Sequence, residues 1–140
     1  MSEPVASESV ASTSVVRALV AGHADFAAGL VSAVDLITGQ GCVLEPVQVA
    51  GLCGEDIQNL LRARLLATGA TVIFTDLQAG SCTMAARRLL REVADVVLVS
   101  GTNLPMLLDF ALSREPNAHD AARVAVERGK SSMTMLGGPA

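Results

Sequence analysis

Apolar residues fall into two alternating textures along the chain. Val15–Ala21, Ala70–Thr75 and Val96–Ser100 are short, nearly continuous aliphatic runs, the pattern of strands buried on both faces. Val43–Val49 is a fourth extended run, and Pro46 within it suits a position near a sheet edge, where a missing N–H costs least. Between the runs the spacing turns helical. Phe26, Leu30, Val34 and Ile37 recur every three or four residues before Gly39 and Gly41, and Ile57, Leu60, Leu61 and Leu65 recur between Gly54 and Ala67 before Gly69. Ser81–Glu92, a Pro105-led segment through Leu112, and Asn117–Arg128 complete the predicted helices. Ser131–Leu136 can add a fifth, antiparallel edge strand at the C-terminal side.

Strand and helix alternate, so the predicted fold class is α/β: a doubly wound, mostly parallel sheet of four parallel strands with helices on both faces. The expected organisation is a Ser/Ala-rich tail over 1–14, a domain over 15–136 and a short tail over 137–140. At 140 residues such a domain buries roughly two-thirds of its unfolded surface and needs neither disulfide nor metal to fold. Hydrophobic residues make up 51% of the chain, with no Trp, no Tyr and three Phe. The core must therefore be aliphatic and layered, which fits α/β better than an aromatic-rich sandwich.

Charge and cysteine usage narrow the partners. A formal charge of −4 gives no electrostatic footprint for nucleic acid, and stacking aromatics are missing. Cys42, Cys53 and Cys82 are odd in number and form no C-x-x-C pair, so they read as thiols of a reducing compartment, without metal ligation. The first fourteen residues carry Glu3 and Glu8 and no basic n-region. Val93–Ser100 is too short to span a bilayer. These features point to a soluble, cytoplasmic protein.

The chemistry belongs beyond the carboxyl ends of the strands, where open α/β sheets hold ligands. His23, Asp76 and the pair Thr102-Asn103 each follow a predicted strand. His23 also opens a helix, where free N–H groups and the dipole favour phosphate. Asp76 can hold one ring nitrogen of His23 by a hydrogen bond, fixing the tautomer and leaving the other nitrogen nucleophilic. Ala24, Gly80, Ser81, Thr102 and Asn103 are the candidate phosphate-binding positions, through backbone amides and small polar groups. Ser81 can equally cap the third helix, the simpler role for a serine there.

Gly22-His23 with Phe26-Ala27-Ala28-Gly29-Leu30, Phe74-Thr75-Asp76-Leu77 with Gly80-Ser81, and Gly101-Thr102-Asn103-Leu104-Pro105-Met106-Leu107 together resemble, in order and spacing, a known family. It is the IIA component of the mannose/fructose/sorbose family of the bacterial phosphoenolpyruvate-dependent sugar phosphotransferase system. The resemblance runs from about Val15 to Arg128. It implies that His23 accepts a phosphoryl group through Nε2 from the phosphocarrier HPr and passes it to a IIB protein, with Asp76 as orienting partner and no cofactor. It also implies a homodimer, in which a segment such as Ser131–Leu136 can be exchanged between subunits, and membrane contact only indirectly, through a IIC/IID transporter. Two departures stand out: Ala24 replaces the family's usual Gly after the histidine, and Ala79-Gly80-Ser81-Cys82 replaces its usual Gly-Gly-Ser/Thr-Pro.

Rival readings share the fold. They are the phosphotransfer subunit of a phosphoenolpyruvate-dependent dihydroxyacetone kinase, a regulatory module that binds a target in a phosphorylation-dependent way, and a non-catalytic small-molecule binding domain. Arg87, Arg88 and Arg91 read first as a solvated helix face and second as a docking stripe for an acidic partner. His119 reads as a surface or capping residue. Cys82, at a helix start, reads as a small buried residue, or else as a thiol of lowered pKa.

Overall fold

The computed structural model describes residues 16–139, so the tail expected over 1–14 lies outside the described residues. Four strands alternate with five helices: β1 (Ala18–Ala21), α1 (Phe26–Thr38), β2 (Leu44–Pro46), α2 (Gly54–Thr68), β3 (Val72–Thr75), α3 (Ser81–Leu89), β4 (Val97–Val99), α4 (Leu104–Leu112) and α5 (Ala118–Ser131). The sheet is parallel throughout, in the order β2-β1-β3-β4. Each crossover runs through at least one helix, as parallel pairing demands.

Alternation along β1 and β3 sorts the core into two layers. Ala18, Val20, Val72 and Phe74 face α1, α4 and α5, where Phe110 meets Phe74 edge-on with ring centroids 5.1 Å apart. Leu19, Ala21 and Ile73 face α2 and α3, packing on Ile57, Leu61, Ala85 and Leu89. Every residue of β1 and β3 is buried, which is why these strands read as uninterrupted apolar runs. Each fully buried Leu, Val or Phe contributes about 1.5–3 kcal/mol relative to exposure.

The edges differ from the centre. β2 spans only three residues and ends at Pro46, shorter than the predicted Val43–Val49, although Val47 still donates its N–H to the Val20 carbonyl at 2.8 Å. Among the described residues β4 pairs only with β3, and it is half-buried. The fifth strand that Ser131–Leu136 could add is not formed among the described residues: α5 continues through Ser131, and 133–139 carry no regular structure, with Met133, Met135 and Leu136 exposed. α5 outlasts its expected end at Arg128 because Gly129 lets it pack close on α4, where a Cβ would come 3.0 Å from both Asn103 Oδ1 and Met106 Cβ.

Strand order reverses between β1 and β3, since β1 leads out to β2 and the chain then returns to place β3 on the other side. That reversal opens the crevice where this class of sheet binds ligands. His23 follows β1 and Asp76 follows β3, on its two sides. No helix of the described residues is long and apolar enough to cross a membrane.

Candidate functional site

β1 ends at Ala21, and Gly22 turns the chain so that His23 stands over the end of β3. Asp76 Oδ2 accepts two hydrogen bonds from His23, one from its backbone N–H at 2.8 Å and one from ring Nδ1 at 2.7 Å. Asp76 Oδ1 accepts from the Leu77 N–H at 2.8 Å. The Asp76 side chain is 9% exposed and the His23 side chain 60%, so the carboxylate is sunk and the ring stands in solvent. Burial pushes the Asp76 carboxyl up, but the backbone and ring hydrogen bonds of His23, with that of Leu77, outweigh it and hold the group below the usual carboxylate range. An ionised carboxylate only accepts, so Nδ1 carries a proton, and in the neutral ring the lone pair is then on Nε2.

A cavity of about 180 Å³ opens beside the ring. His23 and Ala24 line one side, Ser81 and Cys82 another, and Val49, Leu52 and Ile57 form an apolar wall. Gly80 is the N-cap of α3 and has no side chain with which to satisfy the first N–H groups of that helix. Those groups and the helix dipole make a ready site for an anion. Ser81 is the first residue of the helix and not its cap, which removes the capping role and leaves its exposed hydroxyl at the cavity. Gly80 also permits closeness, because a Cβ there would lie 3.2 Å from His23 Cε1.

Ala24 sits at φ +46°, in the left-handed region that favours glycine. Ala79 shows no positive φ, so its departure from the family pattern carries no backbone strain. Cys82 is buried and its thiol is pushed up to about 11, first by burial and then by the neighbouring Asp76 charge. The alternative of a lowered thiol pKa is thereby overturned: the charge beside this cysteine is negative.

Thr102 and Asn103 do not line the cavity. Thr102 is buried behind the end of β3, donating its N–H to the Thr75 carbonyl at 3.1 Å, and its Oγ1 has no partner among the described residues. The Asn103 amide caps α4, with Oδ1 accepting from the Met106 N–H and Nδ2 donating to the Gly129 carbonyl, both at 3.1 Å. His119 reaches the Asp95 carbonyl at 2.9 Å, away from the site. Sequence reasoning missed the wall formed by Val49, Ala50, Gly51 and Leu52. The signal was present, since this segment follows β2 at the same edge of the sheet.

A family model, described as the fructose IIA component of the phosphotransferase system, matches residues 17–127. The chain belongs to this IIA family. Membership gives this IIA component a phosphocarrier role in sugar uptake, as a component of a phosphotransferase. Solved structures of low sequence identity share its fold. The mannose/sorbose-specific IIA subunit from Enterococcus faecalis is 19% identical, covers 89% of this chain and 96% of its own, and superposes with a TM-score of 0.72. The phosphotransferase system component EIIA from Streptococcus agalactiae is 22% identical over 85% of this chain and 95% of its own, TM-score 0.76. A IIA protein associated with the fucose utilization operon of Streptococcus pneumoniae is 22% identical over 79% and 88%, TM-score 0.61. No curated protein matches the IIA component's sequence.

Proposed function

We propose that this IIA component accepts a phosphoryl group from HPr on His23 Nε2 and passes it to a separate IIB protein that phosphorylates the incoming sugar. The observation that carries the reading is the Nδ1–Asp76 contact of 2.7 Å, which directs the nucleophilic lone pair outward to the cavity. As the Nε2–P bond forms in line, the donor's bond to phosphorus breaks and its electron pair stays with the donor. The imidazolium charge that develops on His23 is met by the Asp76 carboxylate. The N–H groups at the start of α3, the Ser81 hydroxyl and the backbone at Ala24 and Gly80 suit the equatorial oxygens. No cofactor takes part.

A homodimer belongs to the same reading. β4 leaves one long side unpaired among the described residues, with Val97 and Val99 half-buried, and the segment after α5 leaves Met133, Met135 and Leu136 exposed. An open strand edge and an apolar segment without regular structure of its own can pair across two copies.

The test is incubation of the pure protein with phosphoenolpyruvate, magnesium, enzyme I and HPr from one organism, followed by intact mass. An acid-labile gain of one phosphoryl group, lost in His23→Ala, is expected. A wild type that stays unmodified while HPr is phosphorylated sinks the transfer reading.

A further inference from the structure

Beneath the site lies a pair of buried hydroxyls that the chemistry above does not use. Thr75 is fully buried and Thr83 is 2% exposed. Their Oγ1 atoms are 2.6 Å apart, one at the end of β3 and the other in the first turn of α3. Thr83 Oγ1 also hydrogen-bonds the Leu77 carbonyl. A carbonyl only accepts, so the Thr83 proton goes to Leu77, and the proton between the two threonines comes from Thr75. Its one other acceptor within reach, the Val99 carbonyl, is at 3.5 Å. The direction of the chain is therefore fixed: Thr75 donates to Thr83, and Thr83 to Leu77.

Leu77 is the residue whose N–H holds Asp76 Oδ1. Without the Thr83 hydroxyl, its carbonyl keeps only the longer bond from the Gly80 N–H at 3.4 Å. The residue on each side of Asp76 is thus held from below: the Thr83 hydroxyl accepts from the Thr75 side chain before Asp76 and donates to the Leu77 carbonyl after it. We infer that Thr83 is a positioning residue for the phosphocarrier reaction, setting the Asp76 carboxylate and through it the Nδ1–H tautomer of His23. The kinetic part rests on the reading of His23 as phosphoryl acceptor; the tautomer part does not.

The deciding variant is Thr83→Val, which keeps shape and β-branching and deletes the hydroxyl. Ring nitrogen-15 NMR of unphosphorylated protein should find His23 almost wholly Nδ1–H in the wild type and about half so in Thr83→Val, with Thr83→Ser restoring the wild-type ratio. Phosphoryl acceptance from HPr should slow roughly tenfold in kcat with KM little changed, again rescued by Ser. In an Asp76→Asn background, Thr83→Val should leave the tautomer ratio where Asp76→Asn put it. A folded Thr83→Val with wild-type tautomer overturns the inference, as does an equal further shift in the Asp76→Asn background. A wild type that accepts no phosphoryl group removes the kinetic arm and the proposed function, while the tautomer arm still decides. Should Thr83→Val fail to fold, the wild-type Thr83 hydroxyl proton gives the answer: slow solvent exchange is expected, and exchange as fast as that of exposed Ser81 refutes the clamp.

Discussion

Gly22 lies against Asp76 with no room for a side chain. A Cβ at position 22 would come 2.8 Å from Asp76 Cγ and 2.6 Å from Phe26 Cδ2. Gly22→Ala must move either the orienting carboxylate or the aromatic ring that opens α1. The expected loss of stability is about 1–3 kcal/mol, the usual cost of overpacking, with phosphoryl acceptance falling alongside. Urea unfolding and the transfer assay on one preparation check both, and a variant with wild-type values in each would show that the contact relaxes freely.

Ala24→Gly should act in the opposite direction. At φ +46° an L-residue carries strain of roughly 1 kcal/mol that glycine lacks. Relief on that scale raises Tm by about 3–5 °C in a domain of this size. Calorimetry decides, and an unchanged or lowered Tm would mean that unfolded-state entropy cancels the strain.

Acid should weaken the fold through Asp76. Its folded carboxyl titrates below the ordinary value, so it contributes stability above the unfolded carboxylate range, near pH 4, and that contribution disappears as pH falls through the lowered folded value. The stability gap between wild type and Asp76→Asn should hold steady from neutral pH to about pH 5 and close at lower pH. Denaturant unfolding at a series of pH values measures it; a gap independent of pH throughout would contradict the ionised, hydrogen-bonded carboxylate.

Thiol chemistry should separate the three cysteines. Cys42 and Cys53 are exposed, whereas Cys82 is buried with its thiol at about 11. At pH 8 an alkylating reagent should label the first two and reach Cys82 only after denaturation. Peptide mass mapping reads this directly, and rapid native labelling of Cys82 would mean that the cavity wall opens.

On the proposed homodimer, removal of residues 132–140 should leave a folded monomer. The truncation leaves α5 intact and deletes the exposed Met133, Met135 and Leu136. Light scattering on full-length and shortened protein gives the mass, and a dimer that survives truncation would place the interface elsewhere.

The central strands were legible because β1 and β3 are buried on both faces, so their side chains are apolar whichever way they point. The edges were less so. Pro46 signalled the short β2, but nothing in Ser131–Leu136 reveals that α5 runs on to Ser131, because Gly129 ordinarily argues for an end and here serves close packing on α4. His23 and Asp76 were legible because they follow strands, and the sheet brings those two strands side by side. Asn103 occupies the same kind of position, yet its amide is spent on a cap, which the Pro105 two residues later foreshadowed. Thr75 and Thr83 were invisible as a pair: in sequence they are a strand threonine and a helix threonine, and only the crossover joins them.

The exposed ring of His23 has a consequence for how carriers meet this protein. One nitrogen faces one cavity, so any two macromolecules that reach Nε2 must do so in turn. On the proposed transfer reading the two carriers visit His23 in turn, and the phosphorylated intermediate has to outlive the departure of the first visitor. Each carrier, in excess, then acts as an inhibitor of the other, and flux depends on the balance of their concentrations as much as on the affinity of either.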